Sequence, residues 1–249
     1  MNFLRKTEMK KLMLAALCGS MGMYSCSEDI DLIGIQGVGA VESRVLELET
    51  PVTAIEMDVA ANIYITQTQG NQSIEVYGQP NILDVLETDV EYGRWEIDFN
   101  NTVGNYKPLE IHIKVQNLNE VEIDASGEVK LMTPFQSNNF SLELEGSGSF
   151  EGELYSESIT VEVPGSGDIY LSGVADTISY DVSGSGSIMS ETLKGKRGDV
   201  NVSGSGDVYV TIEEGTLDAE ISGSGNIYYF GAPEVSSRIT GSGQVISNN

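Results

Sequence analysis

The sequence predicts an all-β chain wound as a single-stranded parallel β-helix, a β-solenoid with coils of about 19–20 residues. Three observations lead there. The triplet Gly-Ser-Gly starts at residues 146, 165, 184, 204, 223 and 241, at intervals of 19, 19, 20, 19 and 18. A fixed period over six copies is a repeat architecture. Within a copy, Ile159, Val161, Val163, Gly165, Gly167, Ile169 and Leu171 alternate with Thr160, Glu162, Pro164, Ser166, Asp168 and Tyr170, the period of a strand with one buried side. Two strands, one bend and a return in about twenty residues fit a coil whose copies stack about 4.8 Å apart, like above like. The leucine template of a leucine-rich repeat is missing, and a propeller blade needs about twice this period.

The elements follow in chain order. In residues 1–25, Arg5, Lys6, Lys10 and Lys11 precede an apolar run from Leu12 that is too short to span a bilayer; this reads as a lipoprotein signal peptide. Cys26 follows the small Ser25, whereas Cys18 follows the bulky Leu17, so Cys26 is the residue expected to carry lipid. The "SEDID" behind it resembles the surface-export signal of Bacteroidetes lipoproteins. Residues 26–45 read as an acidic tether, 46–120 as irregular coils and 121–249 as regular ones. The early strands are "AIEMDVAANIYI", "SIEVYG", "RWEIDF" and "LEIHIKV", with a short helix in "NILDVLE" after Pro80.

From "VEIDASGEVKL" onward each coil is a strand, a glycine bend and a strand. The bends are Gly146 and Gly148, Gly165 and Gly167, Gly184 and Gly186, Gly204 and Gly206, Gly223 and Gly225, and Gly241 and Gly243. Their parity turns them inward, where glycine fits a narrow interior and tolerates positive φ. Returns such as "SGVADT" and "KGKRGD" are expected as loops, the second exposing an Arg-Gly-Asp tripeptide at Arg197–Asp199. After "GSGQVISNN" no capping element is visible. Either the last residues fold over the open end or another chain covers it, a second copy included.

Charge and residue types exclude much chemistry. The chain carries 13 basic and 38 acidic residues, a net charge of -25. Removing residues 1–25 leaves 9 against 37, or -28. Such a chain repels nucleic acid and anionic membrane surfaces, so the membrane is met through the lipid alone. The mature body keeps no cysteine besides Cys26, which rules out a disulfide or a cysteine nucleophile within it. His112 is the single histidine; it excludes a multi-histidine metal site and reads as an outward strand residue. No metal site and no cofactor is expected, since calcium β-rolls repeat every nine residues with an aspartate in each copy.

Asp168 and Asp207 share one repeat position with Ser149, Ser187, Asn226 and Gln244. Paired carboxylates cleave glycosides, but this column reads better as a hydrogen-bonding ladder. Tyr170, Tyr209 and Tyr228 share another outward position, with Met189 between the first two, and Ser166, Ser185, Ser205 and Ser224 run beside them. Together with Asp168, Asp207 and Asn226 they form the candidate ligand face. Aromatic rings beside small polar groups suit carbohydrate; stacked tyrosines that stabilise one another are the other reading.

The segments "YITQTQGNQSIEVYG", "DVLETDVEYGRWEIDF" and the run from "EGSGSF" through "PGSGDIYLSG", "SGSGSI", "SGSGDVYV" and "SGSGNIYYFG" to "TGSGQVI" resemble the head-GIN-domain family of putative bacterial autotransporter adhesins. The likeness runs from about residue 46 to 249. It implies a β-helical surface module with no catalytic residues to carry over. No stretch reads as a translocator barrel, so lipid on Cys26 is the expected attachment. The function expected is a non-enzymatic adhesin or binding module of the outer membrane, facing outward, with glycans or cell-surface proteins as partners. The alternatives are a glycan hydrolase or lyase using surface carboxylates, and a self-assembling envelope protein joined through the solenoid end.

Overall fold

The computed structural model describes residues 34–249. The expected signal peptide, Cys26 and the first part of the expected tether lie outside the described residues. The body is a β-solenoid of stacked parallel strands, as the period predicts. Its early elements are β1 (Glu42–Leu46), β2 (Ala54–Met57), β3 (Ala61–Gln67), β4 (Ser73–Gly78), α1 (Pro80–Leu83), β5 (Val90–Glu91), β6 (Arg94–Ile97) and β7 (Leu109–Val115). Then come β8 (Glu120–Ile123), β9 (Gly127–Leu131), β10 (Phe135–Leu144), β11 (Ser149–Val163), β12 (Asp168–Val182), β13 (Ile188–Val202), β14 (Val208–Ile221), β15 (Ile227–Ile239) and β16 (Val245–Ser247).

A regular coil has three sides. The first runs up to Gly-Ser-Gly and the second leaves it. The expected loops form the third, because the returns pair from rung to rung as well: Leu154 with Gly173, Gly173 with Leu193. That is why β11 to β13 are 15 residues long. The Arg-Gly-Asp tripeptide therefore lies within β13 rather than on a loop. Gly198 is buried against Leu217, and Lys196 pairs with Asp176 at 2.5 Å.

Inward residues stack in columns. Val163, Val182, Val202 and Ile221 form one, and Ile169, Ile188, Val208 and Ile227 another, all buried. The 20-residue interval is absorbed by a bulge opposite Leu171, between the pairs Tyr170–Met189 and Ser172–Thr192. Ser190, just before the break in alternation at Glu191 and Thr192, faces inward, and its hydroxyl donates to the Tyr209 carbonyl at 2.6 Å.

The glycine bends stand where the period puts them, for a reason other than positive φ. None of the Gly-Ser-Gly glycines has positive φ. A Cβ on Gly206 would lie 1.7 Å from the Gly186 carbonyl oxygen, one on Gly186 1.9 Å from that of Gly167, and one on Gly225 1.9 Å from that of Gly206. The missing side chain points along the stack, so the bends nest backbone on backbone and keep their hydrogen bonds, as from Ser185 N to Gly165 O at 2.9 Å. Positive φ falls elsewhere, as at Gly173 on the third side.

The early coils do not stack in chain order. On the first side the order is β6, β2, β8; on the second it is β7, β3, β9. The coil of β2 and β3 is laid down first, then covered on both sides. Beyond β7, β4 and β1 pair antiparallel and close that end, with Ile82 and Leu83 of α1 buried beside them. Ordered packing thus begins ahead of residue 46, inside the expected tether: Ile35 bridges Val103 and β1 pairs with β4. At the other end the last residues continue the coil rather than fold across it. Asn248 N reaches Tyr229 O at 2.9 Å, and the Asn249 amide pairs with the Gly231 backbone.

Candidate functional site

The candidate ligand face lies on the second side, where the register sets Glu151, Tyr170, Met189, Tyr209, Tyr228 and Ile246 in one outward column. Tyr209 and Tyr228 stack with centroids 4.6 Å apart and planes 10° apart. Rung spacing imposes this contact, and it turns one face of each ring toward its neighbour. Among the described residues Tyr170 has no aromatic neighbour, and it is 44% exposed. It lines a groove of about 520 Å³ with Met132, Leu171, Met189 and Thr192. The serines Ser166, Ser185, Ser205 and Ser224 form an exposed rail at the bends.

Between rail and tyrosines runs the predicted polar ladder. Asp168 Oδ1 accepts Ser187 N at 3.1 Å, Ser187 Oγ accepts Asp207 N at 3.2 Å, Asp207 Oδ1 accepts Asn226 N at 2.7 Å, and Asn226 Oδ1 accepts Gln244 N at 3.1 Å. Each side chain thereby satisfies a backbone donor of the next rung. Asp168 and Asp207 each give Oδ1 to the stack, which is a structural task. His112 points outward on β7 as expected, between the rings of Tyr64 and Tyr77, with Nε2 2.7 Å from Glu110 Oε1.

The first side carries a feature the sequence reading missed. Glu96, Glu56, Glu122, Glu143, Glu162 and Asp181 stack in one outward column. Arg94 answers part of this charge, at 2.8 Å from Glu56 and 2.8 Å from Glu122, and also holds Glu120. Asp58 beside the column is pushed up to about 7 by burial and then by Glu56, Asp124, Asp98 and Glu96. Burial, with Glu122 and Glu162, also raises Glu143. Two carboxylate trios, Glu56 with Glu122 and Asp124 and Asp58 with Glu96 and Asp98, bring oxygens within 4.8 Å of one another, close enough for a hard cation to bridge. The later half of the column was legible: the position three before each triplet reads Glu143, Glu162, Asp181, Asn201, Glu220 and Arg238.

A second missed feature is a concavity of about 920 Å³ on the third side. Its wall includes Asn117, Asn119, Asn138, Asn139, Tyr155 and Ser156. The signal for it was the amide density of "QNLN" and "QSNN", which has no meaning until the two stretches are brought together. Gln67 does that: its Nε2 donates to Gln116 O at 3.0 Å and to Gln136 O at 2.9 Å, and its Oε1 accepts Gln136 N at 2.8 Å.

Comparison with known proteins follows this architecture. A family model described as "Putative auto-transporter adhesin, head GIN domain" matches residues 52–233. A crystal structure of a putative adhesin from Bacteroides fragilis is similar at a TM-score of 0.80 and 25% identity, covering 85% of this chain and 98% of that one. A putative lipid binding protein from Parabacteroides distasonis (TM-score 0.68, 24% identity, 86% and 99% covered) shares the fold. So does a putative adhesin from Parabacteroides merdae (0.68, 18%, 86% and 99%). No curated protein matches the chain. Among the described residues, no helix is long and apolar enough to cross a membrane.

Proposed function

Because the chain belongs to the family described as putative auto-transporter adhesin, head GIN domain, we propose that it is an adhesin-like module of the cell surface, held by lipid on Cys26, that meets glycans through the outward residues of its second side. The observation that carries this reading is Tyr170. It is the ring of the predicted face that stands 44% exposed beside a groove, with small polar neighbours able to pair with hydroxyl groups. Function on a solenoid belongs to such outward positions, since the inward ones are fixed by packing.

Two measurements test the reading. A glycan array on the soluble chain from residue 34 onward should give saccharide binding that Tyr170→Ser weakens without lowering thermal stability; equal binding by wild type and variant would remove the second side as the contact. In cells, Cys26→Ser should abolish lipid labelling and release the protein from the membrane fraction. Protein that stays in the membrane fraction after that change would end the anchor.

A further inference from the structure

The concavity on the third side has a topological origin. After β3 the chain leaves the stack for antiparallel β4, and after β7 the segment 116–119 returns at once to β8. Neither lays down a third side. The third side therefore begins with residues 135–139 of β10, which pair with β11 alone. Below that first strand is a step, and the step is the cleft.

Its chemistry differs from the rest of the surface. In a chain of net charge -25, Glu157 supplies the one carboxylate in the lining, against nine residues with side-chain amides or hydroxyls, among them Asn117, Asn119, Ser137, Asn138 and Asn139. Amides both donate and accept, as sugar hydroxyls do. Tyr155 is 42% exposed, and its hydroxyl donates to Glu153 Oε1 at 2.7 Å, which fixes the ring as a platform. The volume of about 920 Å³ falls within the range of small-molecule sites, ~300–1,000 Å³.

We propose that this cleft is a subsite for an uncharged oligosaccharide, with Tyr155 under a sugar ring and the asparagine amides on its hydroxyls. The proposal rests on the glycan-binding reading above and adds to the second side a further contact on the third side of the solenoid. An acidic glycan is disfavoured by the field of the whole chain.

The experiment is calorimetric titration of the chain with neutral oligosaccharides of three to six residues, drawn from β-glucans, mannans and N-acetylglucosamine oligomers. Wild type, Tyr155→Ala, Asn138→Ala and Tyr170→Ser are compared, and thermal melting is recorded for each. The expected result is binding by wild type, weakened at least about tenfold in both cleft variants and to a smaller degree in Tyr170→Ser. Binding lost in Tyr170→Ser alone overturns the cleft and leaves the second-side reading standing. Binding lost equally in all three variants overturns the cleft as a separate subsite. No binding of any neutral oligosaccharide overturns both readings.

Discussion

Residues 141–249 and residues 34–120 use the same strand alphabet to different ends. In the later region each rung lies on the one before it in sequence, and a Gly-Ser-Gly seam holds every bend at backbone contact. In the earlier region the first-made coil ends up in the middle of the stack, and antiparallel β1 and β4 close the end. The later region takes its precision from repetition: equal rungs at equal spacing make each residue meet its own counterpart. The earlier one relies on single contacts such as Arg94 and Gln67. A fault should act accordingly, through the seam in one region and through one irreplaceable side chain in the other.

The largest expected effect is on the seam. In Gly206→Ala the new Cβ would lie 1.7 Å from a backbone oxygen that the neighbouring rung holds in place. Denaturant unfolding should show a loss of more than about 4 kcal/mol, or no folded protein. The same change at Gly70, where the nearest atom is Thr68 Oγ1 at 3.4 Å, should move stability by no more than about 1 kcal/mol. Equal losses at both sites would erase the contrast between the regions.

Next comes Arg94→Met. It strips the cation from Glu56 and Glu122, whose side chains are 12% and 10% exposed. Removing one partner of a largely buried ion pair costs about 3 kcal/mol, and Glu122→Gln in the same chain should restore part of it.

Smaller still is the titration of Asp58. Its carboxyl rises from 3.8 to about 7 on folding, so the folded chain holds the proton more tightly than the unfolded one. Charging it opposes folding: the penalty is absent below pH 3.8, grows between there and 7, and is complete above 7. With a chelator present, stability should rise by about 1–2 kcal/mol from pH 8 to pH 5, allowing for solvent screening. Asp58→Asn should flatten most of that slope and be the more stable protein at pH 8. An unchanged slope would place the effect on other carboxylates such as Glu143.

The smallest effect belongs to the polar ladder. Asp207→Ala leaves the Asn226 backbone N–H without its acceptor and should cost about 1 kcal/mol, while Asp207→Asn should retain most of the stability.

How far the sequence could be read follows the same division. Inward parity found Ile159, Val161, Val163 and Tyr180 because every repeat states the pattern again. The ladder through Asp168, Ser187 and Asp207 was legible for the same reason. The amide cleft was not, because Asn119 and Ser137 come within 3.3 Å only after the chain has gone around the stack. Nor was the first-side column at Glu96, Glu56 and Glu122, where stack order departs from chain order.

By itself the sequence determined the coil period, the inward set of the regular coils, the place of every Gly-Ser-Gly bend and the acidity of the chain. Those are properties of local periodicity and composition, which survive without knowledge of what packs on what. Tertiary structure alone decided the order of the early coils, the closure by antiparallel strands, the third side and the step beneath it. Each depends on which edge a strand meets, and parallel and antiparallel edges offer the same backbone donors and acceptors until neighbouring side chains choose between them.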